Sequence, residues 1–202
     1  MTLSLMILLG YILGSIPFGL ILTKFMTGID VRTIGSGNIG ATNVLRSGHI
    51  LLAVLTFILD ALKGSLAVLI YRFNATVPTT ENELIIAAAA VLGHLYPLFL
   101  YFRGGKGVAT SAGCLLVVAP LVGITAIALW VITIFLTRRS ALAALIATVL
   151  LPFYAYFLSG FSLMVWSFAI SSLVIYKHKD NISRLCQGTE SRIDLFTQKN
   201  PR

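Results

Sequence analysis

Charge is scarce in this chain. Only 11% of its 202 residues are Asp, Glu, Lys or Arg, and 57% are hydrophobic; a soluble domain carries roughly 25% charged residues. Mean hydropathy is +0.94. These figures exclude a soluble fold and leave a single polytopic membrane domain, all-α, occupying residues 1–202. Cysteine is nearly absent, and Cys114 and Cys186 fit neither a metal pattern nor a disulfide framework. No basic region precedes the apolar run that begins at Leu3, so a retained helix is expected there, not a cleaved signal peptide. No Gly stands five residues before Gly105, so the Gly-Gly-Lys-Gly run is not a Walker A loop. There is no Gly-x-Ser-x-Gly elbow, and none of the three His residues is followed five positions later by Asp. A Ser-His-Asp acyl-enzyme and a His-x4-Asp acyltransferase are thereby disfavoured. Direct attack on an already activated acyl donor is not.

What the chain does have is apolar runs of spanning length, about 20 residues each, broken by a few polar clusters. Seven spans are expected, at 3–25, 50–71, 83–102, 108–119, 121–136, 141–158 and 161–176. In the first, Gly10 and Gly14 form a small-xxx-small face. Pro17 predicts a kink whose freed backbone groups need partners. Asp60 and Lys63 lie within the second span, three residues apart on one helical face. They read as a structural ion pair between helices, or as catalytic groups. Pro120 divides 108–136, and the first part reaches only ~18 Å at about 1.5 Å per residue. A short helix starting at Gly107 is therefore expected to begin below the membrane surface, its N-terminus aimed into a cavity.

Charge placement orients the seven spans. All 15 Lys and Arg residues except Arg72 and the intramembrane Lys63 fall on one side. Such a skew makes that side cytoplasmic, with the N-terminus outside and the C-terminus in the cytoplasm. Four clusters share it: the polar loop Thr27–His49, the glycine-rich turn Arg103–Gly107, the Arg138-Arg139-Ser140 turn, and the tail from Lys177. The turn reads as an anion cradle with Lys106 as point charge and Arg103 as planar fork, or as a tight turn whose charges set topology. The polar loop offers many donors, yet Ile39, Ala41, Val44 and Leu45 are spaced for packing, which a linker does not need. His94, before Pro97, reads as a supporting residue of the turn or as a helix–helix hydrogen bond. The tail reads as a basic lipid-binding segment, though Lys and Arg alone would suffice for that. Its apolar anchors are Ile182, Leu185, Ile193 and Phe196. The cytoplasmic acids, Asp30, Asp180, Glu190 and Asp194, form no evident metal cluster. Neither a metal nor another cofactor is expected.

Three stretches then carry a resemblance. Ser36-Gly37-Asn38-Ile39-Gly40-Ala41-Thr42-Asn43-Val44-Leu45-Arg46 is the first. The second runs from Gly93-His94-Leu95-Tyr96-Pro97 through Phe102-Arg103-Gly104-Gly105-Lys106-Gly107-Val108-Ala109-Thr110. The third is His178-Lys179-Asp180-Asn181-Ile182-Ser183-Arg184-Leu185 with Gly188-Thr189-Glu190. In order and across nearly the whole chain, they resemble the motifs of the bacterial acyl-phosphate:glycerol-3-phosphate acyltransferases. Asp60-Ala61-Leu62-Lys63-Gly64 resembles a further element of that family, and Arg103 stands where Lys is more usual. The resemblance implies a seven-helix enzyme of the bacterial plasma membrane with its site on the cytoplasmic side. It implies acyl transfer from acyl phosphate to the 1-hydroxyl of glycerol 3-phosphate, without an acyl-enzyme, in a monomer whose partners are these substrates and membrane lipid, not nucleic acid.

On that reading the catalytic group is His178, Asn181, Lys106 and Ser36. Ser36, Gly37, Asn38, Gly40, Thr42 and Asn43 take the acyl-phosphate head, with Asn38 and Asn43 as donors. Arg46, Lys106 and Ser140 take the glycerol phosphate, with Arg103, Arg184 and the Gly104, Gly105 and Gly107 backbone completing the cradle. His178 and Asn181 orient the attacking hydroxyl. His178 is a candidate base; the donor's own phosphate is the alternative. The competing function is a small transporter of phosphate esters, in which broken helices also occur. Against it, no repeat relates the two halves and the polar residues gather at one surface.

Overall fold

The computed structural model describes residues 2–193. Lys199 and Arg202 of the charge pattern, Asp194 of the cytoplasmic acids and the anchor Phe196 lie outside the described residues. The described chain is all-helical, with ten α-helices and two 3-10 turns. They are α1 (Leu3–Ser15), α2 (Phe18–Thr27), α3 (Ala41–Arg46), α4 (Ile50–Asn74), α5 (Thr80–Leu95), α6 (Val108–Val118), α7 (Pro120–Thr137), α8 (Ser140–Ser159), α9 (Phe161–Lys177) and α10 (Lys179–Cys186).

Proline sets three of the breaks and bends. At Pro17 the first span divides into α1 and α2. The Ile16 carbonyl at that break accepts a hydrogen bond from Lys63 Nζ at 2.7 Å, so the freed group expected there has a buried lysine as partner. At Ala119–Pro120 the long run separates into α6 and α7, leaving α6 with 11 residues. Pro152 lies inside α8. It has no N–H for the Thr148 carbonyl, which instead accepts from Ser171 Oγ at 2.8 Å. The third span ends earlier than its apolar run: α5 stops at Leu95, and a 3-10 turn at Leu98–Leu100 follows Pro97. Glu83 is drawn into α5, where both its oxygens accept from Arg72, at 2.6 and 2.7 Å.

Among the described residues, five stretches are long and apolar enough to cross a bilayer: Leu3–Thr27, Ile50–Asn74, Thr80–Leu100, Pro120–Thr137 and Ser140–Ser159. A sixth is formed if α9 and α10, bent by 63°, are taken together. α6 is a shorter apolar helix. Large apolar side chains such as Leu8, Leu51, Phe135 and Phe157 point outward, as lipid-facing surfaces require. The interior is built from small residues where helices cross. A Cβ on Gly14 of α1 would meet the Ala90 carbonyl oxygen of α5 at 2.0 Å, and one on Gly113 of α6 would meet the Ala61 carbonyl oxygen of α4 at 1.9 Å. With no hydrophobic drive between helices in lipid, this backbone proximity is where dispersion attraction comes from.

Two groups of helices result. α4 packs on α1, α5 and α6, while α7 packs on α8 and α8 on α9. They are joined where α6 turns into α7 and where α5 meets α9. The polar segments cover the end of the cleft between them. The loop after α2 is closed by a second core of Leu20, Val31, Ile39, Val44, Leu52, Ala53 and Leu100, so it is a packed cap and not a linker.

Overpacking a crossing costs about 1–3 kcal/mol. Gly113→Ala is expected to lower the melting temperature in detergent by several degrees. Gly10→Ala, whose Cβ would come no closer than 3.3 Å to Ile86, is expected to change it little. Equal melting temperatures for the two variants would contradict the close crossing at Gly113.

Candidate active site

The cap loop is organised by Asn43, which is 1% exposed. Its Nδ2 donates to the Val31 and Ile34 carbonyls at 2.8 and 3.1 Å, and its Oδ1 accepts from Ser36 N at 2.9 Å. Both amide hydrogens are therefore used inside the protein. The expected role of Asn43 as a donor to substrate is corrected: it braces the loop that presents Ser36. Asn38 Oδ1 accepts from Gly40 N at 2.8 Å, and the Asn38 side chain lines the cavity. Thr42 and Ser140 hydroxyls are hydrogen-bonded at 2.9 Å, tying the loop to the start of α8.

The glycine-rich turn is pressed onto the end of α5. Gly105 N donates to the His94 carbonyl at 3.0 Å. A Cβ on Gly105 would lie 2.0 Å from His94 Nε2, and one on Gly104 2.2 Å from the His94 carbonyl oxygen. These glycines permit close approach, and the Gly105 N–H is not free to cradle an anion. The unpaired donors lie one step onward. Gly107, with φ 86°, caps α6, and the first-turn N–H groups of Val108 and Ala109 have no intrahelical acceptor. Both residues line the cavity beside Lys106. A helix N-terminus and a lysine thus face the same space.

The third side comes from the α9–α10 bend. His178 is 3% exposed, and its Nδ1 lies 2.8 Å from the Val174 carbonyl. Nδ1 therefore carries the proton, and Nε2 is an acceptor. Burial, reinforced by the nearby Lys106 charge, pushes its pKa down to about 4, so the ring is neutral at pH 7. Asn181 accepts from Lys106 Nζ through Oδ1 and donates to Glu190 Oε1 through Nδ2 at 2.8 Å. Glu190 Oε2 accepts from Arg184 Nε at 2.7 Å, and Arg46 lies 4.0 Å from Glu190 Oε1 while donating to Ser191 Oγ. Burial lowers the Lys106 pKa to about 8 despite the Glu190 carboxylate, with Arg184 and Arg46 adding to the depression.

Two cavities share the wall between Lys106 and Asn181. A cleft is lined by Ser36, Asn38, Gly40, Thr42, Asn43 and Arg46 from the cap. Lys106, Gly107, Ser140, His178 and Asn181 complete its polar side. Gly37, Arg103, Gly104, Gly105 and Arg184 instead line the neighbouring surface cavity, which also contains Ser36, Asn38, Lys106 and Asn181. An apolar cavity between α6, α7, α8 and α9 adjoins the cleft.

Several lining residues were absent from the expected set. Glu190 is 5% exposed and holds the tail cluster together; its position in the third motif was the available signal. Asp60 and His94 form the buried floor of the cleft, with Asp60 Oδ1 2.7 Å from Lys63 Nζ and 3.6 Å from His94 Nδ1. Ionisable residues at membrane depth were the signal for these. Phe57 and Trp130 also line the cleft, and nothing in their sequence neighbourhood marks them.

The fold and the site together define an integral membrane protein with a cationic cleft adjoining an apolar cavity. The family model described as "Glycerol-3-phosphate acyltransferase" matches residues 4–188. A protein of that name from Nitrosospira multiformis is 48% identical over 198 residues, covering 96% of this chain and 97% of its own length. One from Mesorhizobium japonicum is 50% identical over 191 residues, covering 95% and 96%. Among solved structures, the glycerol 3-phosphate form of PlsY (YgiH), an integral membrane glycerol 3-phosphate acyltransferase, superposes with a TM-score of 0.88 at 36% identity, over 95% of this chain and 96% of that one. Its lysophosphatidic acid form gives 0.86 at 35% identity, with 95% of each chain covered. The chain belongs to the glycerol-3-phosphate acyltransferase family.

Removing the Asn43 side chain leaves the Val31 carbonyl and the Ser36 N–H without partners, each costing about 1–3 kcal/mol if buried, while the Ile34 carbonyl keeps the Gly37 N–H. Asn43→Ala is expected to speed amide exchange across 31–40 while α4 keeps its protection. Unchanged exchange in the cap would contradict the bracing role.

Proposed function

We propose that this protein transfers a fatty acyl group from acyl phosphate to the 1-hydroxyl of sn-glycerol 3-phosphate. The products are 1-acyl-sn-glycerol 3-phosphate (lysophosphatidic acid) and phosphate, feeding phospholipid synthesis. The observation that carries this reading is the junction of a cationic cleft, with Arg46, Lys106 and the α6 N-terminus, and an apolar cavity. A molecule with a phosphate head and a hydrocarbon tail fits such a junction. The neighbouring structures with glycerol 3-phosphate and lysophosphatidic acid support the acceptor and the product.

Acyl phosphate is a mixed anhydride, so no covalent enzyme intermediate is needed. The C1 hydroxyl oxygen attacks the carbonyl carbon, the bond from that carbon to the phosphate oxygen breaks, and phosphate leaves. The hydroxyl proton passes to the departing phosphate. A His178 with a pKa of about 4 is a weak base at neutral pH, which favours this route; its Nε2 serves to orient the hydroxyl together with Asn181. Lys106, Arg46 and the α6 N-terminus hold phosphate groups and stabilise charge on the leaving phosphate. Ser36 donates to the donor's head group, Asn38 joins it, and Ser140 with Thr42 closes the acceptor side. Arg103 and Arg184, in the outer cavity, draw the water-soluble acceptor inward.

The proposed topology has seven spans, α6 counting as a short one, with the N-terminus outside and the C-terminus in the cytoplasm. It sets the cleft on the cytoplasmic face of a bacterial plasma membrane. The skew of Lys and Arg supports it. Action as a monomer is part of the same proposal.

Purified protein given palmitoyl phosphate and glycerol 3-phosphate is expected to release phosphate only when both are present, with stoichiometric lysophosphatidate, and Arg46→Ala is expected to be nearly inactive. Product formed equally by Arg46→Ala would sink the assignment of the cationic cleft. The charged form of Lys106 binds phosphate and has a pKa of about 8. The value of kcat/KM for glycerol 3-phosphate should therefore fall as pH rises through about 8. Lys106→Arg should carry that limb to higher pH, and an unmoved limb would take Lys106 out of the titration.

A further inference from the structure

The polar cleft and the apolar cavity meet at three side chains. Phe57 of α4, Val108 of α6 and Trp130 of α7 line both. Any molecule with its phosphate in one and its chain in the other must pass them. Phe57 and Trp130 come from the two separate helix groups, and α4 and α7 each pack mainly on other neighbours. Their rings nevertheless stack across the gap, with centroids 5.6 Å apart and planes at 18°. Beyond the rings the apolar cavity is lined by Ser111, Ala112 and Ala147 together with larger apolar side chains such as Leu115, Leu151 and Ile170. The aromatic pair therefore stands at the junction of the two cavities. Val108 is the first residue of α6 and follows Gly107 in its left-handed conformation, so this wall is fixed by the helix start.

We propose that Phe57 and Trp130 are specificity-determining residues for the acyl donor, forming a flat aromatic constriction around the carbonyl and the first chain carbons. The inference rests on the acyl-phosphate reading above. A straight methylene chain lies against aromatic faces with many dispersion contacts. A methyl branch beside the carbonyl adds volume against Phe57, Trp130 and Val108, and overpacked sites relax poorly. The constriction thus selects donors unbranched at the carbon next to the carbonyl, and it holds the carbonyl in line with the acceptor hydroxyl. These residues touch the substrate without taking part in proton or bond transfer.

The test is a cycle of variant against donor, using palmitoyl phosphate and 2-methylpalmitoyl phosphate with glycerol 3-phosphate. Wild type is expected to prefer the straight donor by roughly 10–100-fold in kcat/KM, the range an extra methyl commands in an apolar pocket. Trp130→Ala and Phe57→Ala should bring that ratio close to one, with the KM for glycerol 3-phosphate unchanged. Trp130→Phe keeps a flat ring and should keep the preference. Ile132→Ala, on the exposed face of α7, should also keep it. Damage to folding lowers both donors together and leaves the ratio alone, so an unchanged ratio in both alanine variants would overturn the proposal. A wild-type enzyme indifferent to the branch would do the same. A wild-type protein that uses neither donor would instead defeat the acyl-phosphate reading itself.

Discussion

One buried carboxylate makes the site possible. Lys106, Arg46 and Arg184 converge at the mouth of an apolar bundle, where like charges repel strongly in a medium of low effective dielectric. Glu190 lies among them, bonded to Arg184 and Asn181 and within 4.0 Å of Arg46. Through Asn181 it also reaches Lys106. The cluster keeps a net positive charge after this neutralisation, and that surplus is what a phosphate would meet. Without the carboxylate, Lys106 would face the partly exposed Arg46 and Arg184 with the largest offset to their repulsion removed. The chain after α10 turns back to deliver Glu190, with Thr189 N and Glu190 N both donating to the Arg184 carbonyl.

The membrane part answers to a different constraint. Helices in lipid gain little from burying apolar surface, so they approach by backbone contact at glycine and alanine and by satisfying every freed carbonyl. Lys63 serves both needs, pairing with Asp60 and accepting the task left by Pro17. The same reasoning explains the end of α5. The carbonyls of His94, Leu95 and Tyr96 accept from Gly105 N, Lys177 Nζ and Tyr11 Oη. One helix terminus therefore fixes the glycine-rich turn, the end of α9 and α1 at once, and the geometry of Lys106 follows from it.

Features that act along the chain were legible in the sequence. Pro17 and Pro120 marked the breaks, the length of 108–119 marked a short helix, and the alternation of Ile39 and Val44 with polar neighbours marked a packed cap. The motif residues did gather around one wall, as their clustering on one side of the expected topology suggested. Roles that depend on through-space pairing were not legible. Asn43 looks like a free donor until its two amide hydrogens are followed to Val31 and Ile34. The glycines of the turn look like an anion nest until His94 is found beneath them. Phe57 and Trp130 are two aromatics among many apolar residues, and only the meeting of α4 and α7 gives them a position of consequence.

The central claim is that the acyl group passes directly from donor phosphate to acceptor hydroxyl in a cleft that supplies charge and orientation but no nucleophile. The most direct measurement is isotope exchange in the absence of acceptor. The protein is incubated with palmitoyl phosphate and radiolabelled inorganic phosphate, without glycerol 3-phosphate, and the recovered acyl phosphate is counted. Direct transfer predicts no label in the donor, because no acyl-enzyme exists for the labelled phosphate to attack. Label appearing in palmitoyl phosphate at a rate comparable to turnover would contradict the account and require a covalent intermediate.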